Sequence, residues 1–118
     1  MNTRKVGTEK EDRAAAFIES HGGQVTERNF RSRMGEIDLI ARDGEAVCFI
    51  EVKYRKNAAA GYPAEAVGAK KQFTICRVAD FYRMKKQLPD DIPYRFDVIG
   101  IIGNEIKWYK NAFQYVQL

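Results

Sequence analysis

The chain has 118 residues, 45% hydrophobic and 31% charged: enough for one domain with a real core, too short for two of ordinary size, and too apolar to stay disordered. Twenty Lys and Arg against sixteen Asp and Glu leave a formal charge of +4, a mild bias towards polyanionic partners. The single histidine, His21, excludes sites built on paired histidines and argues against a histidine-activated nucleophile, so hydrolytic chemistry would rest on carboxylates and lysines.

In chain order, Thr8 reads as an N-cap, with Glu9, Glu11 and Asp12 in the first turn. Ala14, Ala15, Phe17 and Ile18 then give the helix an apolar face before Gly22-Gly23 ends it. Gln24 to Phe30 reads as a strand, and Arg31-Ser32-Arg33 with Gly35 as a turn. Glu36 to Arg42 and Ala46 to Tyr54 are two further strands around Asp43-Gly44, a two-residue hairpin signal. A basic, small-residue loop runs from Arg55 to Gly61. Ile75, Ala79 and Tyr82, at helical spacing, predict a second helix that stops before Pro89. Arg95 to Ile102 and Glu105 to Tyr109 flank Gly103-Asn104 as a second hairpin. The expectation is one α/β domain over residues 1–118, with a mixed central sheet of about five strands flanked by helices in the order α-β-β-β-α-β-β.

Cys48 and Cys76 lie in apolar stretches, which suits reduced, buried thiols and a cytoplasmic protein. Met1 to Lys5 leads into no apolar run of the signal-peptide kind, and no segment has the length of a membrane span.

Strand alternation puts Glu51 and Lys53 on one face and Cys48, Ile50, Val52 and Tyr54 on the other. With Asp43-Gly44 as the turn, Arg42 pairs with Glu45, Ile40 with Val47, Asp38 with Phe49 and Glu36 with Glu51. Asp38 and Glu51 are then diagonal neighbours, roughly 7–8 Å apart at the backbone, near enough to converge on one ion. Glu36 opposite Glu51 adds a like-charge pair that a cation would relieve. Oxygen ligands without His or Cys favour Mg²⁺ or Mn²⁺. A lysine on the same face would orient and activate a water.

Plainer readings stand beside these. Thr8-x-x-Glu11 is a capping box, which by itself accounts for a glutamate there, although Glu11 shares a face with Ala14, Ala15 and Ile18. Asp97 suits a structural partner of Arg95 or a backbone cap better than a ligand. His21 suits a helix C-terminus. Cys48, Phe73, Phe81 and Trp108 read as core. Arg31, Arg33, Arg55, Lys70 and Lys71, with Arg28 and Lys56, come from three segments that border the carboxylates, which suits phosphate contact.

Gly35-Glu36-Ile37-Asp38-Leu39-Ile40, Phe49-Ile50-Glu51-Val52-Lys53 and Arg95-Phe96-Asp97-Val98 resemble the YraN-like family of bacterial proteins over nearly the whole chain, Gly7 to Phe113. That family is regarded as nuclease-like and similar to archaeal Holliday-junction resolvases. The resemblance implies a restriction-endonuclease-like core, with the PD-(D/E)xK motif on Asp38, Glu51 and Lys53. Its helix-one glutamate matches Glu11, with Lys10 where glycine is usual, and its helix-two lysine matches Lys71. The expected protein is therefore a Mg²⁺- or Mn²⁺-dependent endonuclease acting on DNA, branched or junction DNA included, as a homodimer like the two-fold resolvases. Asp38, Glu51 and the Val52 carbonyl would hold the metal, Glu11 would act through water and Lys53 would place the hydroxide. The rival expectation is a nucleic-acid-binding module that keeps the fold without turnover.

Overall fold

Two helices and five strands follow one another as α1 (Thr3–Ser20), β1 (Gln24–Ser32), β2 (Gly35–Asp43), β3 (Ala46–Arg55), α2 (Ala69–Lys85), β4 (Tyr94–Ile102) and β5 (Glu105–Phe113). They come from a computed structural model that describes residues 3–57 and 67–117. The segment 58–66, which takes in most of the expected Arg55 to Gly61 loop, lies outside the described residues.

The strands form one sheet in the order β1-β2-β3-β4-β5. Consecutive pairs are antiparallel except β3 with β4, which run parallel. A parallel pair needs a long crossover, and α2 lies in that connection. The mixed sheet and its element order are those expected for the restriction-endonuclease-like core.

The central strand β3 is buried from Ala46 to Glu51, which explains its unbroken apolar run. Cys48 and Ile50 pack with Leu39, Ala41, Ile99 and Ile101 against Ala14 and Ile18 of α1. Val47 and Phe49 pack on the other face with Ile40, Phe96 and Val98 against Ile75, Val78, Ala79 and Tyr82 of α2. Each such side chain, fully buried, contributes about 1.5–3 kcal/mol. Both cysteines are free and buried, and burial pushes the Cys48 thiol up to about 12.

Three local expectations are corrected. The first helix begins at Thr3, so Thr8 stands inside it and Thr8-x-x-Glu11 is no capping box. Asp43 remains in its strand, paired with Ala46, and the turn is Gly44-Glu45. Arg95 and Lys110 hold the Asp43 carboxylate at 3.0 Å and 2.9 Å, while Gly44 takes the left-handed φ of +61° that a side chain would resist. Asp38 therefore does not face Phe49, and Glu36 does not face Glu51. Ile40 faces Phe49 and Leu39 faces Ile50, a displacement of two residues that preserves the face of every side chain. Phe73, expected in the core, is 37% exposed and lies 4.9 Å from the Arg77 guanidinium.

Asp97 is fully buried and takes the structural role. Arg95 donates to both its oxygens at 3.1 Å and 2.7 Å, Trp108 Nε1 donates at 2.9 Å and the Asn111 backbone N–H at 2.8 Å. The last bond spans the bulge between Phe96 and Val98 that breaks the β4–β5 ladder. Asp97→Asn keeps the shape but loses a charge and an acceptor beneath the Arg95 guanidinium. It is expected to lower stability by about 3 kcal/mol, read as an earlier urea midpoint at unchanged slope.

Candidate functional site

The β2–β3 ladder is regular from Asp43–Ala46 to Leu39–Ile50. One step further Asp38 comes level with Glu51, and the Asp38 carboxylate accepts the Val52 backbone N–H at 2.8 Å. A side chain thus replaces a ladder acceptor where the pairing ends, which fixes Asp38 beside Glu51. The two carboxylates share a face, as strand parity predicts, and are closer in register than the expected diagonal.

Glu51 is 6% exposed, and its Oε2 is buried with no hydrogen-bond partner. Lys53 Nζ stands 3.8 Å from Oε1, and Lys71 Nζ, from the first turn of α2, 3.8 Å from Oε2. Both are too long for hydrogen bonds, so the lysines offset the charge without satisfying the oxygen. Burial, followed by the neighbouring Asp38 charge, pushes Glu51 up to about 8 against the opposing pull of Lys71 and Lys53. A carboxyl that resists ionising because it is desolvated and stands beside a second carboxylate is what a divalent cation would relieve.

Glu11 forms no three-carboxylate cluster with this pair among the described residues, but it reaches Asn29, which lies between Arg28 and Phe30, the partners of Leu39 and Ile37 on either side of Asp38. Glu11 Oε1 accepts from Asn29 Nδ2 at 2.9 Å, while the neighbouring Asp12 takes Arg28 at 2.6 Å, so the two residues tie α1 to β1. No three His, Cys, Asp or Glu side chains gather closely enough for a metal among the described residues. A cation placed here would find two side-chain carboxylates, those of Asp38 and Glu51. That set suits a hard ion such as Mg²⁺, which keeps several waters and commonly binds through one or two carboxylates and substrate phosphates.

The expected phosphate-binding residues divide. Arg31 and Arg33 are exposed at the β1–β2 turn, with Arg31 3.7 Å from Glu36. Lys70 is exposed at the start of α2. Arg55 turns back to donate to the Tyr54 carbonyl at 2.9 Å. Lys71 reaches Glu51 itself, a placement that the spacing of charges along the sequence did not single out. His21 caps α1, its Nδ1 2.9 Å from the Phe17 carbonyl and its ring stacked 4.0 Å from that of Phe17. No helix among the described residues is long and apolar enough to cross a membrane.

The model of Uncharacterised protein family UPF0102 matches residues 10–101, which include Asp38, Glu51, Lys53 and Lys71. A UPF0102 protein of Lachnoclostridium phytofermentans is 42% identical over 113 residues, 96% of each chain. One from Caldicellulosiruptor saccharolyticus is 38% identical over 119 residues, covering 96% of this chain and all of the relative. A third, from Chromohalobacter salexigens, is 40% identical over 116 residues, 95% of this chain and 93% of its own. With the family match spanning most of the fold and relatives aligned almost end to end, the chain belongs to the UPF0102 family, in agreement with its resemblance to the YraN-like proteins.

Proposed function

We propose that the chain is a divalent-metal-dependent phosphodiesterase that cuts DNA endonucleolytically. The observation that carries this reading is the buried, unpartnered Glu51 Oε2 beside Asp38, flanked by Lys53 and Lys71. A purely structural carboxylate resembles Asp97, with both oxygens hydrogen-bonded. Glu51 Oε2 has the burial without a hydrogen-bond partner, the arrangement expected of a group kept for a ligand.

Asp38 and Glu51 would hold Mg²⁺ or Mn²⁺, with the Val52 carbonyl as a further ligand. Such an ion lowers the pKa of water and shields phosphate charge. Lys53, a quarter exposed, stands 3.8 Å from Glu51 Oε1, where it would orient the attacking water and contact a phosphate oxygen. Lys71 holds positive charge on the other side of Glu51. Arg31, Arg33 and Lys70, exposed on the β1–β2 turn and the start of α2, suit neighbouring phosphates of a polyanion. Glu11, tied to Asn29 on the strand beside Asp38, would act on the metal through water.

The test is cleavage of continuous, nicked, branched and single-stranded DNA in Mg²⁺, Mn²⁺ and EDTA. Cutting with either metal and none in EDTA is expected. Binding without cutting on the whole panel would make the chain a nucleic-acid-binding module.

A further inference from the structure

The two-residue turn between β1 and β2, Arg33-Met34, presents Met34, 50% exposed, directly after the exposed Arg33, while the exposed Arg31 stands just before the turn, paired across the ladder with Glu36. An apolar side chain at the tip of a basic hairpin contributes nothing to the core, and the tip is ordered rather than loose. The Met34 N–H donates to Ser32 Oγ at 3.1 Å. Gly35, at φ +154°, lies so close to α2 that a Cβ there would come within 2.6 Å of Thr74 Cγ2. The hairpin base is therefore seated on the helix that bears Lys70 and Lys71, and Met34 projects beyond that seat. Arg31 remains 76% exposed at the side chain despite its pairing with Glu36.

We propose that Met34 is a wedge that enters DNA where base stacking is already interrupted, at a nick or a branch, while Arg31 and Arg33 hold the flanking phosphates. The inference names the substrate class of the site proposed above and rests on that reading for its position. Apolar side chains flanked by cations are inserted between base steps at the cost of unstacking, and that cost is smallest where the stack is already broken. Continuous duplex resists the wedge, and an interrupted one accepts it. Met34 stands one residue before β2 and four before Asp38, about 13 Å at strand rise. That separation corresponds to about four nucleotides at 3.4 Å each, which places the cut that far from the interruption.

The experiment uses two fluorescent duplexes of one sequence, one continuous and one nicked, with 2-aminopurine beside the nick and at the matching continuous position. Affinity and base fluorescence are read in EDTA, where no cleavage is required. Wild type is expected to bind the nicked duplex about tenfold more tightly and to brighten its 2-aminopurine. Met34→Ala, at a half-exposed position that should leave folding intact, is expected to lose both effects while binding continuous duplex as before, and Met34→Leu to retain them. Preference and brightening that survive in Met34→Ala would overturn the wedge, as would equal loss on both duplexes or no binding by wild type. Adding Mn²⁺ separates the two claims. Preference that depends on Met34 without cutting sinks the nuclease and leaves the wedge, whereas cutting indifferent to Met34 sinks the wedge and leaves the nuclease.

Discussion

Lys53→Met is expected to cut DNA about 10²–10⁴ times more slowly than wild type under single-turnover conditions, the usual cost of losing one group that places a proton or offsets charge in the transition state. Binding of metal should survive. The ammonium stands 3.8 Å from Glu51 Oε1 and competes electrostatically with a cation, so its removal leaves Mn²⁺ affinity equal or slightly tighter. Folding should survive as well, because methionine retains much of the apolar stem. The dissociation of binding from cutting is the informative result, since a loss of both would indicate a disturbed site. A variant that cuts at the wild-type rate would remove Lys53 from the chemistry.

Glu51→Gln is expected to melt higher than wild type in EDTA at pH 8 while losing metal affinity and cleavage. The folded protein holds the Glu51 proton up to about pH 8, while an unfolded glutamate releases it near the reference value of 4.5. Between those values the native state binds more protons than the unfolded one, so this residue lowers stability as pH rises from about 4.5 to about 8. Glutamine removes the charge and supplies donors of its own to the Asp38 carboxylate. Relief of one buried, unsatisfied oxygen is worth on the order of 1–3 kcal/mol, several degrees of melting temperature in a domain of this size. The gain should shrink towards pH 4.5 and vanish in saturating Mn²⁺, which stabilises only wild type. A lower melting temperature than wild type in EDTA at pH 8 would show that Glu51 supports the fold rather than straining it.

Period and turn chemistry made much of this architecture legible. Five strands and two helices follow in the order that alternation and helical spacing give, the Gly103-Asn104 turn lies where its dipeptide places it, and Lys53 stands by Glu51 as parity requires, although β1 runs on to Ser32 through the expected turn. The register was less legible. Asp43-Gly44 is a strong turn signal, yet Arg95 from β4 and Lys110 from β5 keep Asp43 in its strand and move the turn by one residue. Because the resulting displacement along β3 is two residues, the Asp38–Glu51 pairing survives while the expected Glu36–Glu51 conflict does not. Glu36 lies near Arg31 instead. The start of α1 was hidden because Thr8 and the acids after it imitate a helix N-terminus so well. The approach of Lys71 to Glu51 depends on how α2 seats against the sheet, through contacts such as Gly35 on Thr74, and no local pattern encodes that.

A Mn²⁺ titration of wild type, Asp38→Asn and Glu51→Gln by calorimetry, in buffers of different ionisation enthalpy, tests the central claim most directly. Wild type should show one site whose affinity rises from pH 6 to about 8 and whose filling releases a proton, because the cation displaces the proton held on Glu51. Both variants should bind at least about tenfold more weakly, and Glu51→Gln should release no proton. Equal affinity in all three proteins, with no proton release from wild type, would contradict the assignment of Asp38 and Glu51 as the metal site.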